Sequence, residues 1–306
     1  MTRRHFGLGL VTAGLLCAAA GVLWHITRSL TFDAVEQALH HTPVASLYAA
    51  ALATAVSFVG LAYFDRFATR LIAPAAFASP YAWYVGAVSH AVSNTLGFPV
   101  ITGSALRYRL YRQSGMGAAE IASVITLVGL CVALDSVTVL LTAFIIAPAT
   151  SFYGRATCFA GMITLLAGLG QIPRIGGFLR RHGLSLPAMT RTTLLLPFFV
   201  GIMEGGAVIC AFYTLLPEDI RPGFAVLASI VVGAMMVGVL SHSPGGIGVF
   251  EAAILATFPG GHHADVLAAL LLFRLIYNIF PFLLAVLLLT AQQGHLAGRS
   301  SVRRRV

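Results

Sequence analysis

The sequence predicts an all-α polytopic membrane protein, and three observations support this class. Of the 306 residues, 58% are hydrophobic and only 9% are charged, whereas a soluble domain carries about 25% charged residues. The mean hydropathy is +0.89. Apolar runs of about 20 residues, the length that crosses a bilayer as a helix, follow one another along almost the whole chain. We therefore interpret residues 1–306 as a single transmembrane domain of about eight hydrophobic segments.

The apolar runs define these segments in order. Six full spans are predicted at about 7–27, 44–64, 118–147, 155–172, 193–216 and 264–291, with a polar patch at 65–70 and a basic tail at 293–306. The first run also has the form of a signal peptide, but the many spans downstream favour an uncleaved helix.

Two further runs are interrupted and predict broken helices. They lie at about 81–112 and 222–258, with breaks at Asn94–Pro99 and within Ser241–Gly248. Gly and Pro end helices, because Gly is entropically costly and Pro lacks a backbone donor. Irregular backbone at membrane depth survives only where protein or a watery cavity covers it. The alternative is that both breaks are kinks in ordinary helices.

The arginine distribution selects a topology. All 19 basic residues are Arg, and basic residues are enriched in cytoplasmic loops. If 81–112 enters from the cytoplasm, breaks and returns, seven arginines face the cytoplasm. These are Arg107, Arg109, Arg112, Arg174, Arg180, Arg181 and Arg191. A full crossing would place all seven outside, so we predict a re-entrant hairpin, with 222–258 as a second hairpin entering from outside and both termini in the cytoplasm.

This topology predicts an inverted repeat. The order helix, helix, hairpin, helix occurs in about 1–150 and again in 151–292, and the two copies start on opposite sides. Paired Gly/Pro-interrupted segments in corresponding halves are typical of transporters with a site near the membrane midplane.

Ionisable residues at membrane depth are the first candidates for that site. Each costs about 2.5–3.5 kcal/mol on insertion scales, so each is a functional hypothesis. Six are predicted at this depth: His90, Asp135, Glu204, His242, Glu251 and Arg274. Arg274 either binds a phosphate or pairs with one of the three acids. Glu251 either contacts a ligand or is a first-turn acid favoured by the helix dipole.

Arg107, Arg109 and Arg112 end the first hairpin. They form either a positive-inside anchor or a bidentate clamp for lipid phosphate. The sequence lacks HExxH, GxSxG and P-loop motifs, and its four Cys lie scattered in apolar runs. We therefore expect a transporter and not an enzyme, with no cofactor, no metal site and no nucleic-acid partner.

Two motifs resemble a known family. Residues 243–251, Ser-Pro-Gly-Gly-Ile-Gly-Val-Phe-Glu, resemble the PGGxGxFE motif of the lysylphosphatidylglycerol synthase transmembrane family. That family includes the flippase half of the multiple peptide resistance factor. Residues 103–111, Gly-Ser-Ala-Leu-Arg-Tyr-Arg-Leu-Tyr, resemble the G-x-A-x-R-Y-R-L-Y element of its proteobacterial members. Both motifs fall in the predicted hairpins.

The resemblance implies a bacterial inner-membrane protein that moves aminoacyl-phosphatidylglycerol, or a related phospholipid, between leaflets. The acyltransferase-like domain of the bifunctional members is absent from these residues, so we expect a stand-alone relative or the membrane half of a larger protein. We predict that the substrate is bound by Arg107, Arg109, Asp135, Glu204, Pro244, Gly245, Gly246, Glu251 and Arg274. A lipid-binding scaffold that serves a separate synthase is the alternative function. The oligomeric state stays open, with a homodimer as one alternative.

Overall fold

The computed structural model describes residues 39–74, 79–97, 99–148, 150–169, 191–240 and 248–302. Within these ranges the regular structure is entirely helical. The predicted first span at 7–27 lies outside the described residues, as do His242, Pro244, Gly245 and Gly246 of the second break.

The helices follow the predicted order. They are α1 Val44–Ile72, α2 Ser79–Leu96, α3 Pro99–Gln113, α4 Ala118–Ile146, α5 Phe152–Leu169, α6 Arg191–Leu215, α7 Phe224–Leu240, α8 Val249–Leu255, α9 His263–Phe273 and α10 Phe280–Val302. A π-helical segment, Arg274–Ile279, joins α9 and α10 into one continuous helix. In the described part of the chain, four helices are long and apolar enough to cross a membrane: Val44–Ile72, Ala118–Ile146, Leu195–Leu215 and His263–Gln292. The protein is an all-α membrane protein, as predicted.

Helices α2 and α3 form an antiparallel hairpin that ends halfway across the membrane. The Tyr81 hydroxyl at the start of α2 donates to the Leu110 carbonyl near the end of α3, over 2.9 Å. Between them the chain turns at Gly97, whose φ of +77° suits glycine. At this tip, the Asn278 side-chain amide donates to the Asn94 carbonyl over 3.3 Å. Because Asn278 lies in the middle of the continuous α9–α10 helix, the first break is a re-entrant turn and not a kink.

Helix α1 is longer than predicted. The prediction ended it at residue 64 and assigned a polar patch to 65–70, but the helix continues to Ile72. Asp65 is fully buried inside it. The prediction was wrong because hydropathy treats a carboxylate as a helix boundary, whereas Arg107 of α3 neutralises Asp65 at depth.

Helices α7 and α8 form the described arms of the second hairpin; the turn between them, 241–247, lies outside the described residues. The Phe250 ring of α8 stacks on Phe273 at a centroid distance of 6.3 Å. Phe273 is the eleventh residue of α9, which places it about 15 Å from the start of the helix. The start of α8 therefore lies about halfway through a hydrocarbon core of about 30 Å.

Helices α1 and α6 cross near their midpoints. A Cβ added at Gly60 of α1 would lie 3.0 Å from the Cβ of Glu204 in α6, so glycine permits the two helices to approach closely. Two clusters of buried apolar side chains pack on either side of this crossing, one around the first hairpin and one around the second.

Helix α4 lies against α6 and runs parallel to it. Gly201 of α6 faces Asp135, and Gly205, one turn later, faces Val139, one turn later in α4. Equal steps in the same direction show that the two helices run parallel, as the predicted topology requires. The side on which the termini lie, and the relation of the two halves as an inverted repeat, stay predictions.

Candidate functional site

A cavity of about 580 Å³ lies where the two hairpins meet the central helices. Helices α1 to α4, α6 to α9 and the π segment all contribute side chains to its wall. Most of the wall is apolar. The polar side chains on it are Ser93, Asn94, Asp135, Ser136, Glu204, Arg274, Tyr277 and Asn278. The volume falls within the range of about 300–1,000 Å³ typical of small-molecule sites.

One side of the cavity opens through apolar side chains. Val100 and Ile101, just after the tip of the first hairpin, are 81% and 68% exposed. Ser136 of α4 lines the same cavity and is also exposed. At membrane depth such exposed apolar side chains face lipid tails, which are as apolar as they are. The cavity is therefore accessible sideways from the bilayer.

An acidic pair, Asp135 and Glu204, lies on the cavity wall. The Asp135 carboxyl group packs against Gly201 of α6, one turn before Glu204, and both acids are buried. Glu204 Oε1 also accepts a 2.6 Å hydrogen bond from the Ser57 hydroxyl, which lies 3.2 Å from the Tyr277 hydroxyl. Asp135 Oδ1 is buried without a hydrogen-bond partner. Neither acid forms an ion pair with any described residue.

The glycines beside Glu204 have different environments. Gly205 packs against Val139 of α4, whereas a Cβ at Gly206 would meet nothing within 4 Å. The structure shows a helix–helix contact at Gly205 and open space at Gly206.

Arg274 of the π segment forms an ion pair with Glu251 of the second hairpin. The distance from Arg274 Nε to Glu251 Oε1 is 2.5 Å, and the guanidinium lies over the Phe250 ring at 5.9 Å. Glu251 Oε2 accepts a hydrogen bond from the Gly248 amide over 2.7 Å. The sequence left open which acid Arg274 contacts and whether Glu251 is a first-turn acid. The structure shows that Glu251 pairs with Arg274 and also caps α8.

The π-helical segment brings several polar side chains to one wall. Arg274, Tyr277 and Asn278 all lie within it and line the cavity. Pro281 follows the segment and, in an α-helix, would clash with the carbonyl four residues earlier. The chain bonds five residues back instead: the Phe280 amide donates to the Leu275 carbonyl. Such π segments are common at functional sites.

A second polar cluster lies on the first hairpin, away from the cavity wall. Arg107 contacts Asp65 through Nε at 2.9 Å and through a terminal nitrogen at 2.8 Å. The Tyr111 hydroxyl donates to the same carboxylate over 3.0 Å, and His90 Nε2 lies 3.9 Å from it. Sequence reasoning missed Asp65. The signal that would have found it is the apolar pattern at 67, 68, 71 and 72, which continues the helix beyond it.

The predicted site residues fall into three groups. Asp135, Glu204 and Arg274 line the cavity, and Glu251 contacts Arg274. Arg107 and Arg109 are buried on the first hairpin and do not line the cavity. The turn residues Pro244, Gly245 and Gly246 lie outside the described part of the chain. A phosphate-binding role for Arg107 and Arg109 stays a prediction.

Fold and site define a class: a helical membrane protein with a mid-depth cavity between two hairpins. The chain is 31% identical over 210 residues to the uncharacterized protein slr0712 of Synechocystis, which covers 65% of this chain and 64% of that protein. It is 37% identical over 106 residues to the inner membrane protein YbhN of Escherichia coli, covering 33% of this chain and 32% of YbhN. The chain thus matches less than two thirds of each relative. No family model matches it. The relatives support a membrane-integral protein, and their names state no activity.

Proposed function

We propose that the protein translocates a phospholipid between the two leaflets of the bacterial inner membrane. The observation that carries this proposal is the mid-depth cavity, which opens sideways through apolar side chains and holds both an arginine and an acidic pair. Lipid tails can stay in the bilayer while a polar headgroup passes through such a cavity. The inner-membrane relative supports the location.

The charged side chains on the cavity wall favour a headgroup that carries both a negative and a positive charge. The Arg274 guanidinium suits a phosphate, because its planar fork donates two parallel hydrogen bonds. Asp135 and Glu204 would receive an ammonium group. An aminoacylated phosphatidylglycerol and a zwitterionic phospholipid both fit this description. The motif resemblance of residues 103–111 and 243–251 to lysylphosphatidylglycerol transporters supports the first.

This role is that of a transporter, in which Glu251 holds Arg274 while the cavity is empty. When a phosphate enters, Arg274 exchanges the Glu251 carboxylate for the phosphate, a ligand of similar geometry and charge.

Headgroup exposure in reconstituted vesicles tests the proposal. An aminoacylated phosphatidylglycerol is placed in one leaflet, and a membrane-impermeant amine reagent reports its arrival in the other. Glu204→Gln and Arg274→Ala are each expected to slow translocation about tenfold or more, because a hydrogen bond to a charged group contributes about 1.5–3 kcal/mol. Asp265→Asn, on the exposed first turn of α9, is the matched control.

Unchanged translocation in both variants would contradict the assigned site. If the lipid co-purifies tightly with the protein but never changes leaflet, the alternative role as a lipid-binding scaffold for a separate synthase is supported instead.

A further inference from the structure

The protonation of the acidic pair, Asp135 and Glu204, bears on the energy source of transport. An ionised carboxylate only accepts hydrogen bonds. Asp135 packs against α6 one turn from Glu204, and both acids are buried on the same cavity wall, so a hydrogen bond between their carboxyl groups requires one proton between them. Like charges this close disfavour double ionisation in any case.

The groups around the pair supply no compensating positive charge. Helix α1 presents the Ser57 hydroxyl, and the π segment presents the Tyr277 hydroxyl. On α4, Cys131 lies one turn before Asp135. Helix α7 contains no ionisable residue in Phe224–Leu240. Arg274, the cation on the cavity wall, contacts Glu251, and within the described chain no basic group lies within 4 Å of either acid.

We propose that Asp135 and Glu204 hold one proton in the empty cavity and release it when a cationic headgroup binds, so that lipid moves in exchange for a proton. The inference rests on the proposed function and adds its energy source. The charge balances: two carboxyl groups with one proton carry −1, and two carboxylates with one ammonium also carry −1. The proton leaves to water on the side to which the cavity is open.

The direction of coupling follows from the exchange. Protons flow from the acidic to the alkaline compartment, so lipid moves the opposite way and accumulates in the leaflet that faces the acidic compartment. With one proton per lipid, a difference of one pH unit is expected to shift the leaflet ratio about tenfold, because a tenfold ratio corresponds to about 1.4 kcal/mol.

The test uses the full chain in vesicles of phosphatidylglycerol with a small fraction of aminoacylated phosphatidylglycerol. A potassium clamp holds the membrane potential at zero, and the impermeant amine reagent measures the leaflet ratio with and without a pH gradient. A tenfold shift per unit supports the proposal. Translocation that proceeds without any dependence on the gradient overturns the coupling and leaves the proposed function intact.

Infrared spectroscopy gives a readout that does not depend on transport. The wild-type protein is expected to show the carbonyl absorption of a protonated carboxyl group, which disappears on addition of the aminoacylated lipid and is absent in Glu204→Gln and Asp135→Asn. Asp265→Asn should behave as wild type. If no lipid moves under any condition, the proposed function fails, and persistence of this absorption in both variants would separately overturn the shared proton. Size-exclusion profiles confirm that each variant is folded.

Discussion

The two hairpins each carry one acid–arginine pair, and the two pairs differ in their surroundings. In the first, the Asp65 side chain is fully buried and that of Arg107 is 6% exposed. Arg107 binds this carboxylate through two nitrogens. In the second, the side chains of Glu251 and Arg274 are 20% and 10% exposed, and Arg274 faces the cavity.

The difference teaches that the same kind of acid–arginine pair can serve two purposes. The first pair joins the returning arm of its hairpin to α1 and is enclosed by protein, so it fixes the position of that hairpin. The second pair joins the returning arm of its hairpin to the cavity wall, where the proposed function has a ligand replace one partner. Enclosed pairs contribute little net stability, but removal of one partner leaves an uncompensated buried charge.

The largest expected effect follows from breaking the enclosed pair. Asp65→Asn should lower the free energy of unfolding by about 3–5 kcal/mol, because Arg107 is left buried without its carboxylate. Denaturant unfolding in detergent micelles measures this loss. The double variant Asp65→Asn with Arg107→Gln should recover part of it, since the orphaned charge is removed. Equal losses in the single and double variants would show that the pair does not fix the hairpin.

A smaller effect is expected from Gly86, the glycine that lets the first arm of the first hairpin pack closely against α1. In α2, a Cβ at Gly86 would lie 2.8 Å from the Ala62 Cα of α1, so Gly86→Ala must displace backbone. We expect a cost of about 1–3 kcal/mol, as for other overpacked cores. In α7, a Cβ at Gly233 would meet nothing within 4 Å.

Gly233→Ala is therefore the matched control. It should be neutral or add up to about 1 kcal/mol through helix propensity. Thermal unfolding in detergent compares the two variants directly. If both glycines tolerate alanine equally, the first hairpin is not seated more tightly than the second.

Much of the fold could be predicted from the sequence because its signals are local. Hydropathy locates the long spans, and Gly97 with its neighbours marks the re-entrant tip. The depth and charge of Asp135, Glu204 and Arg274 identify three residues of the cavity wall. These signals depend only on residue type and position along the chain.

The sequence could not predict which acid pairs with which arginine, because the pairing depends on which helices pack together. In the sequence, Asp65 resembles a helix boundary. The structure shows that Arg107 of α3 pairs with it inside the helix bundle. The sequence offered three acids as partners for Arg274. Only the fold shows that Glu251 contacts it, while Glu204 and Asp135 lie side by side on the cavity wall. The π segment that presents Arg274 likewise arises from a local adjustment before Pro281 that hydropathy does not detect.

The smallest effect on stability, and the sharpest test of the comparison, is expected from Glu251→Gln. The Glu251 side chain is partly exposed, and glutamine retains an oxygen that can accept the Gly248 amide. Arg274 faces the cavity, where water can solvate it, so unfolding should change by only about 1 kcal/mol, far less than in Asp65→Asn. Without the competing carboxylate, Arg274 should bind phosphate more tightly. Titration of the purified protein with phosphatidylglycerol should show higher affinity in Glu251→Gln and lower affinity in Arg274→Ala. Equal weakening in both variants would mean that Glu251 positions Arg274 and does not compete with the headgroup for it.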